Sequence, residues 1–85
     1  MKTIEAWGTV ARVLERVAPG SDLAQVDPDR SLREQLDLDS LDFLAYVEGL
    51  SAACGRDIPE ADYPVVDTLS GAIAFATEAL GHAPA

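Results

Sequence analysis

The chain has 85 residues, with 15 acids against six bases for a net charge of −9. That balance argues against nucleic acid and anionic membranes as partners, which need a basic footprint, and suits docking to basic patches on other proteins. The length allows one domain over 1–85 with a modest core, the lone Cys54 excludes an internal disulfide, and no apolar run approaches a membrane span.

A helical pattern begins almost at once, with no signal peptide before it, so a cytoplasmic monomer is expected. Over residues 4–18, Ile4, Trp7, Ala11, Leu14 and Ala18 recur at intervals of three or four, and Val10, Val13 and Val17 widen the stripe. Thr3 can cap this helix and Pro19-Gly20 stops it. Trp7 reads as core, and Arg12, Glu15 and Arg16 as a solvated face. Residues 19–39 then read as a long loop. Within it Ser31-Leu32-Arg33-Glu34 fits a capping box, which predicts a short helical turn over 31–36. Leu32 and Leu36 should pin that turn to the core, with Leu23 and Val26 as further anchors.

The second main helix is expected from about 40 to 53, begun by Asp39 or Ser40 and stopped by Gly55. Phe43, Val47, Leu50 and Cys54, with Tyr46 beside them, follow the spacing of a buried stripe. Leu41, Leu44 and Glu48 fall on a different, surface side. Residues 59–66 should form one short, irregular turn. Pro59 suits a first helical position there, and Pro64 forbids a long helix. The last helix starts near its cap Thr68, buries Leu69, Ala72, Ile73, Ala76 and Leu80, gains bulk from Phe75 and ends at Gly81; 81–85 read as a frayed tail. The fold class is all-α: a small four-helix bundle with a long loop between the first two helices and a short irregular third helix.

Ser40 is the residue most open to chemistry. Its hydroxyl lies at the positive end of a helix, exposed, with acids beside it. On its own, Asp39-Ser40-Leu41 is also an ordinary helix cap. The surrounding stretch Leu36-Asp37-Leu38-Asp39-Ser40-Leu41-Asp42-Phe43-Leu44 resembles the attachment region of acyl carrier proteins. Downstream, Ile58-Pro59-Glu60-Ala61-Asp62 and Asp67-Thr68-Leu69 are similar to that family's third helix and the start of its fourth, at matching distances from the serine. Ser31-Leu32 and Leu36 fit the loop before the site. The resemblance covers 30–80 in detail.

The resemblance implies a 4′-phosphopantetheine arm, taken from coenzyme A and linked to Ser40, which holds acyl groups as thioesters in fatty-acid, polyketide or related biosynthesis. It implies as partners a phosphopantetheinyl transferase and acyl-loading and acyl-processing enzymes with basic surfaces. Asp37, Asp39, Asp42 and Glu48 would form the acidic docking face, with Leu41 and Leu44 as its apolar centre. The chain departs from the family pattern in four ways. Leu38 and Asp37 stand where a glycine is usual before the serine, although Asp tolerates unusual backbone angles. Glu48 replaces an apolar contact residue. Ala45, Ser51 and Ala52 occupy positions often acidic in fatty-acid carriers. Pro64 shortens the third helix. The second and third departures favour a specialised carrier.

No catalytic constellation is visible. His82, the only histidine, lies in the expected tail, and Cys54 sits on a buried stripe with no basic neighbour in its helix. Asp37, Asp39 and Glu48 fit positions 1, 3 and 12 of a calcium loop, but Leu41 and Asp42 break it at 5 and 6, so no metal is expected. Two alternatives remain: a peptidyl or aminoacyl carrier, and an unmodified helical adaptor that uses the same acidic face.

Overall fold

The computed structural model describes residues 3–81, and side chains over 4–79. Helix α1 spans Thr3–Val17, α2 Leu32–Gln35, α3 Ser40–Cys54, α4 Tyr63–Val66 and α5 Leu69–Gly81. Short 3-10 turns occupy Leu23–Gln25 and Glu60–Asp62. The architecture is all-α, as the sequence predicts, with no strand among the described residues. The Thr3 cap, Leu80 and the tail with His82 fall outside the residues whose side chains are described.

The two long helices α3 and α5 both pack against α1, and the short α4 packs against the start of α5. In α3 the expected stripe is the buried one: Phe43, Tyr46, Val47, Leu50 and Cys54 all face inward. Each such side chain contributes about 1.5–3 kcal/mol by leaving water. Burial also raises the Cys54 thiol pKa, which suits a core residue and not a nucleophile.

Helix α1 differs from its expected register. Its buried face is Ala6, Thr9, Val10, Val13 and Leu14, whereas Ile4 is 82% exposed and Trp7 38% exposed. The valines read as widening the stripe are therefore near its centre, and Trp7 is not core. The apolar residues of this helix form one broad arc, with the valines toward its buried side and Ile4 and Trp7 at its exposed margin. Contact with both α3 and α5 selects the narrower side chains, letting the axes approach.

The long crossover is ordered by hydrogen bonds instead of by length of helix. The Gln35 carboxamide accepts from Asp27 N–H at 2.8 Å and donates to the Asp27 and Arg30 carbonyls at 2.9 and 3.1 Å. Asp22 caps the first 3-10 turn through Ala24 N–H, and Ser70 N–H donates to the Pro28 carbonyl. Leu32 is fully buried, and Leu23, Val26 and Leu36 pack against the core as expected.

Half of the predicted capping box forms: Ser31 Oγ accepts from Glu34 N–H at 3.2 Å. Other donors at the start of α2 are met from afar. Asp67 Oδ2 accepts from Ser31 Oγ at 2.7 Å, its Oδ1 from Arg33 N–H at 3.0 Å, and its carbonyl from Leu32 N–H at 2.6 Å. Residues 59–66 divide into a 3-10 turn and α4, so Pro59 stands before the turn and Pro64 occupies the first turn of α4, where no amide is required. Thr68 Oγ accepts from Gly71 N–H at 3.0 Å, the expected cap of α5. Gly71 has a packing reason to be glycine: a Cβ there would lie 1.8 Å from the Val65 carbonyl oxygen.

Tyr46 joins α3 to α4, its buried hydroxyl donating to the Val66 carbonyl at 2.5 Å. Burial, then the charges of Asp67 and Cys54, raises the phenol pKa well above its ordinary 10.0. The fold thus favours the neutral phenol, whose contribution is full below pH 10.0 and is lost as pH rises beyond it. Tyr46→Phe, which leaves the Val66 carbonyl unpaired, should cost about 1–3 kcal/mol at neutral pH. It should also flatten the alkaline decline of stability followed by urea denaturation. An unchanged alkaline slope would show that another group controls it.

Candidate functional site

The site is built at the junction of α2 and α3. Helix α2 ends in a tight reversal: Leu38 N–H donates to the Arg33 carbonyl at 2.9 Å and Asp37 N–H to the Glu34 carbonyl at 3.4 Å. This is the Schellman pattern, which needs a left-handed residue just past the helix. Asp37 fills that position with φ 55°, the one non-glycine residue at positive φ among the described residues. The same pattern ends α3, with Gly55 at φ 64° and Arg56 N–H donating to the Ser51 carbonyl. Asp37 thus does the backbone work of the family's usual glycine, and it turns Leu38 inward to 6% exposure.

Two residues later Asp39 caps α3, its carboxylate accepting from Asp42 N–H at 2.8 Å. Ser40 is the first residue of the helix and is exposed. Arg33 Nη2 donates to Ser40 Oγ at 3.0 Å, and the same guanidinium lies over the Phe43 ring, 5.6 Å from its centroid. An open cleft of about 510 Å³ adjoins the hydroxyl, lined by Arg33, Ser40, Phe43, Leu44, Tyr63 and Pro64. Phe43 meets Tyr63 edge to face at 5.9 Å, which forms its aromatic floor. A larger groove of about 760 Å³ between α1 and α3 touches none of these residues, so size does not mark the site.

Asp37, Asp39, Leu41, Leu44 and Glu48 are all exposed, and Asp42 is half-buried. Leu41 is 77% exposed and Leu44 42%, on an otherwise charged surface. The structure therefore puts the six expected docking residues around the start and along one side of α3. Of these six, Asp39 is also the cap of α3. Arg33, Tyr63 and Pro64 were absent from the expected site. Arg33 belonged only to a capping box in sequence, seven residues before Ser40, and no local signal brings its side chain back to the hydroxyl.

Residues 7–74 match the family described as "Phosphopantetheine attachment site". The chain is also similar to a protein named acyl carrier protein from Rubrobacter xylanophilus, 34% identical over 59 residues that cover 69% of this chain and 73% of that one. The chain belongs to the phosphopantetheine-binding carrier family, whose members are carriers and not catalysts. Among the described residues no helix is long and apolar enough to cross a membrane.

The reversal at Asp37 makes a backbone prediction. Asp37→Val should lose about 1–2 kcal/mol, the cost of a left-handed β-branched residue. Asp37→Gly should stay within about 1 kcal/mol of the parent. Urea midpoints at constant m-value test this. Equal losses in both would assign the effect to the carboxylate and not to the backbone.

Proposed function

We propose that Ser40 carries the 4′-phosphopantetheine arm and that the chain presents acyl intermediates to biosynthetic enzymes. The observation that carries this reading is the placement of Ser40, an exposed hydroxyl at the first turn of α3 and inside the matched region 7–74. The chain's residues fit such a group: free amides at the start of α3 favour an anion, Arg33 lies beside the oxygen, and an open cleft adjoins it. In the linkage Ser40 Oγ bonds to phosphorus and loses its proton, while 3′,5′-ADP leaves from coenzyme A. When bound, the arm supplies a terminal thiol that holds acyl groups as thioesters. The protein's residues tether, orient and are recognised.

The similarity to a protein named acyl carrier protein supports an acyl over an aminoacyl cargo. Fatty-acid, polyketide and related pathways all use that chemistry. The exposed Glu48 and the neutral Ala45, Ser51 and Ala52 favour a specialised pathway over the general fatty-acid synthase. Docking falls on the start of α3. Exposed Leu41 and Leu44 supply small apolar contacts, and the acids around them steer basic enzyme surfaces.

Incubation with coenzyme A, magnesium and a broad-specificity phosphopantetheinyl transferase should add one phosphopantetheine by intact mass. Ser40→Ala should abolish the gain. An unchanged mass across several transferases would favour the unmodified adaptor. For the docking face, Leu41→Ala and Asp42→Lys should each slow acyl loading several-fold at low salt, with stability changed by no more than about 1 kcal/mol. Unaltered loading rates would remove this face from recognition. Asp39→Lys is a poor probe, since it also removes a cap worth about 1 kcal/mol.

A further inference from the structure

We propose that Arg33 is the phosphate-holding residue of this carrier: the guanidinium that donates to Ser40 Oγ grips the phosphodiester oxygens once the arm is attached. The proposal rests on Ser40 being the attachment residue. Its carrying observation is the 3.0 Å contact between Arg33 Nη2 and Ser40 Oγ. A phosphate esterified to that oxygen has its unbridged oxygens two bonds from an atom that Arg33 already touches.

The arginine is held for this position from three sides. Its N–H donates to Asp67 Oδ1 at 3.0 Å, its carbonyl accepts from Leu38 N–H at 2.9 Å, and its side chain lies over Phe43. The cation–π contact places beside Ser40 a group that recognises phosphate through parallel N–H donors. Among the described residues the guanidinium is in no ion pair, in a chain with 15 acids. Its contact with Ser40 is its one side-chain hydrogen bond there, which leaves further N–H donors for an anion.

Arg33 lies in the last turn of the four-residue α2, where a cation suits the dipole, but stabilisation of α3 does not account for its side chain lying at Ser40. A cation beside the first turn of a helix opposes the macrodipole, which favours anions at that end. The arrangement becomes favourable when a phosphate arrives between the guanidinium and the α3 amides. It also answers a charge problem. The phosphodiester adds one negative charge among Asp37, Asp39 and Asp42, and Arg33 is the cation that the fold delivers there.

The test compares apo and fully modified forms of the wild type, Arg33→Gln and Arg33→Lys, with modification verified by intact mass. Attachment should shift the Arg33 Nε–Hε resonance in the wild type. The change in Tm on attachment should be more favourable in the wild type than in Arg33→Gln, by roughly 2–5 °C for a domain of this size. The ³¹P resonance of the phosphodiester should move on Arg33→Gln. An unmoved Arg33 resonance, with equal Tm changes and an unmoved ³¹P signal, would overturn the proposal while leaving the Ser40 reading intact. No mass gain in the wild type would sink the Ser40 reading and this one together. Should Arg33→Gln not fold, the wild-type Arg33 resonance and the Arg33→Lys comparison decide.

Discussion

Asp67 is the residue on which the placement of the site depends. Its carboxylate and carbonyl together receive Ser31 Oγ, Arg33 N–H and Leu32 N–H, so a residue at the end of α4 caps the start of α2. A four-residue helix has too few internal bonds to stand alone. With Asp67 as an external cap and Leu32 as a buried anchor, α2 becomes a fixed platform in the crossover. Everything that surrounds Ser40 follows from where that platform lies. Gln35 and Ser70 secure the earlier part of the crossover, and Tyr46 secures α4 to α3 from below.

From this platform the chain must reverse within two residues to begin α3. Asp37 makes the turn in the left-handed region, Leu38 enters the core, and the Asp39 carboxylate accepts from Asp42 N–H in the first turn of α3. The family's usual glycine is thus replaced by a residue that keeps the geometry and adds a charge to the surface. The substitution accepts some backbone strain in return for another acid beside the attachment region. Asp39 shows the same economy, serving the helix as a cap while its charge stays at the surface.

The electrostatic design of the site has two scales. At long range, a net charge of −9 and the acids near α3 draw in basic surfaces and repel acidic ones. At short range, a single guanidinium lies at the hydroxyl itself, over the Phe43 ring. The two do not conflict, because screening confines the exposed arginine's influence to its immediate neighbours while the acids act together over a wider surface. On the function proposed above, the first would attract enzymes and the second would settle an anionic tether.

Much of this was legible in the residue order. The α3 stripe, the Thr68 cap, the Gly55 stop and the surface position of Leu41 and Leu44 all follow from spacings of a few residues, because helical periodicity and capping are local; the weight on Ser40 came from the family resemblance and not from spacing. For Asp37 the residue order offered less: the resemblance put a glycine at 37 or 38, and only aspartate's tolerance of unusual backbone angles hinted that the turn survives there. What tertiary structure alone decided were the matters of long separation or of helix packing. Which part of the apolar arc of α1 is buried depended on two neighbouring helices, and so Trp7 and Ile4 lie at its exposed margin. Asp67 reaching Ser31 across 36 residues, and Arg33 returning over Phe43 to Ser40, depend on where rigid pieces come to rest against one another. Local rules carry no information about that, because it is set by the packing of the whole core.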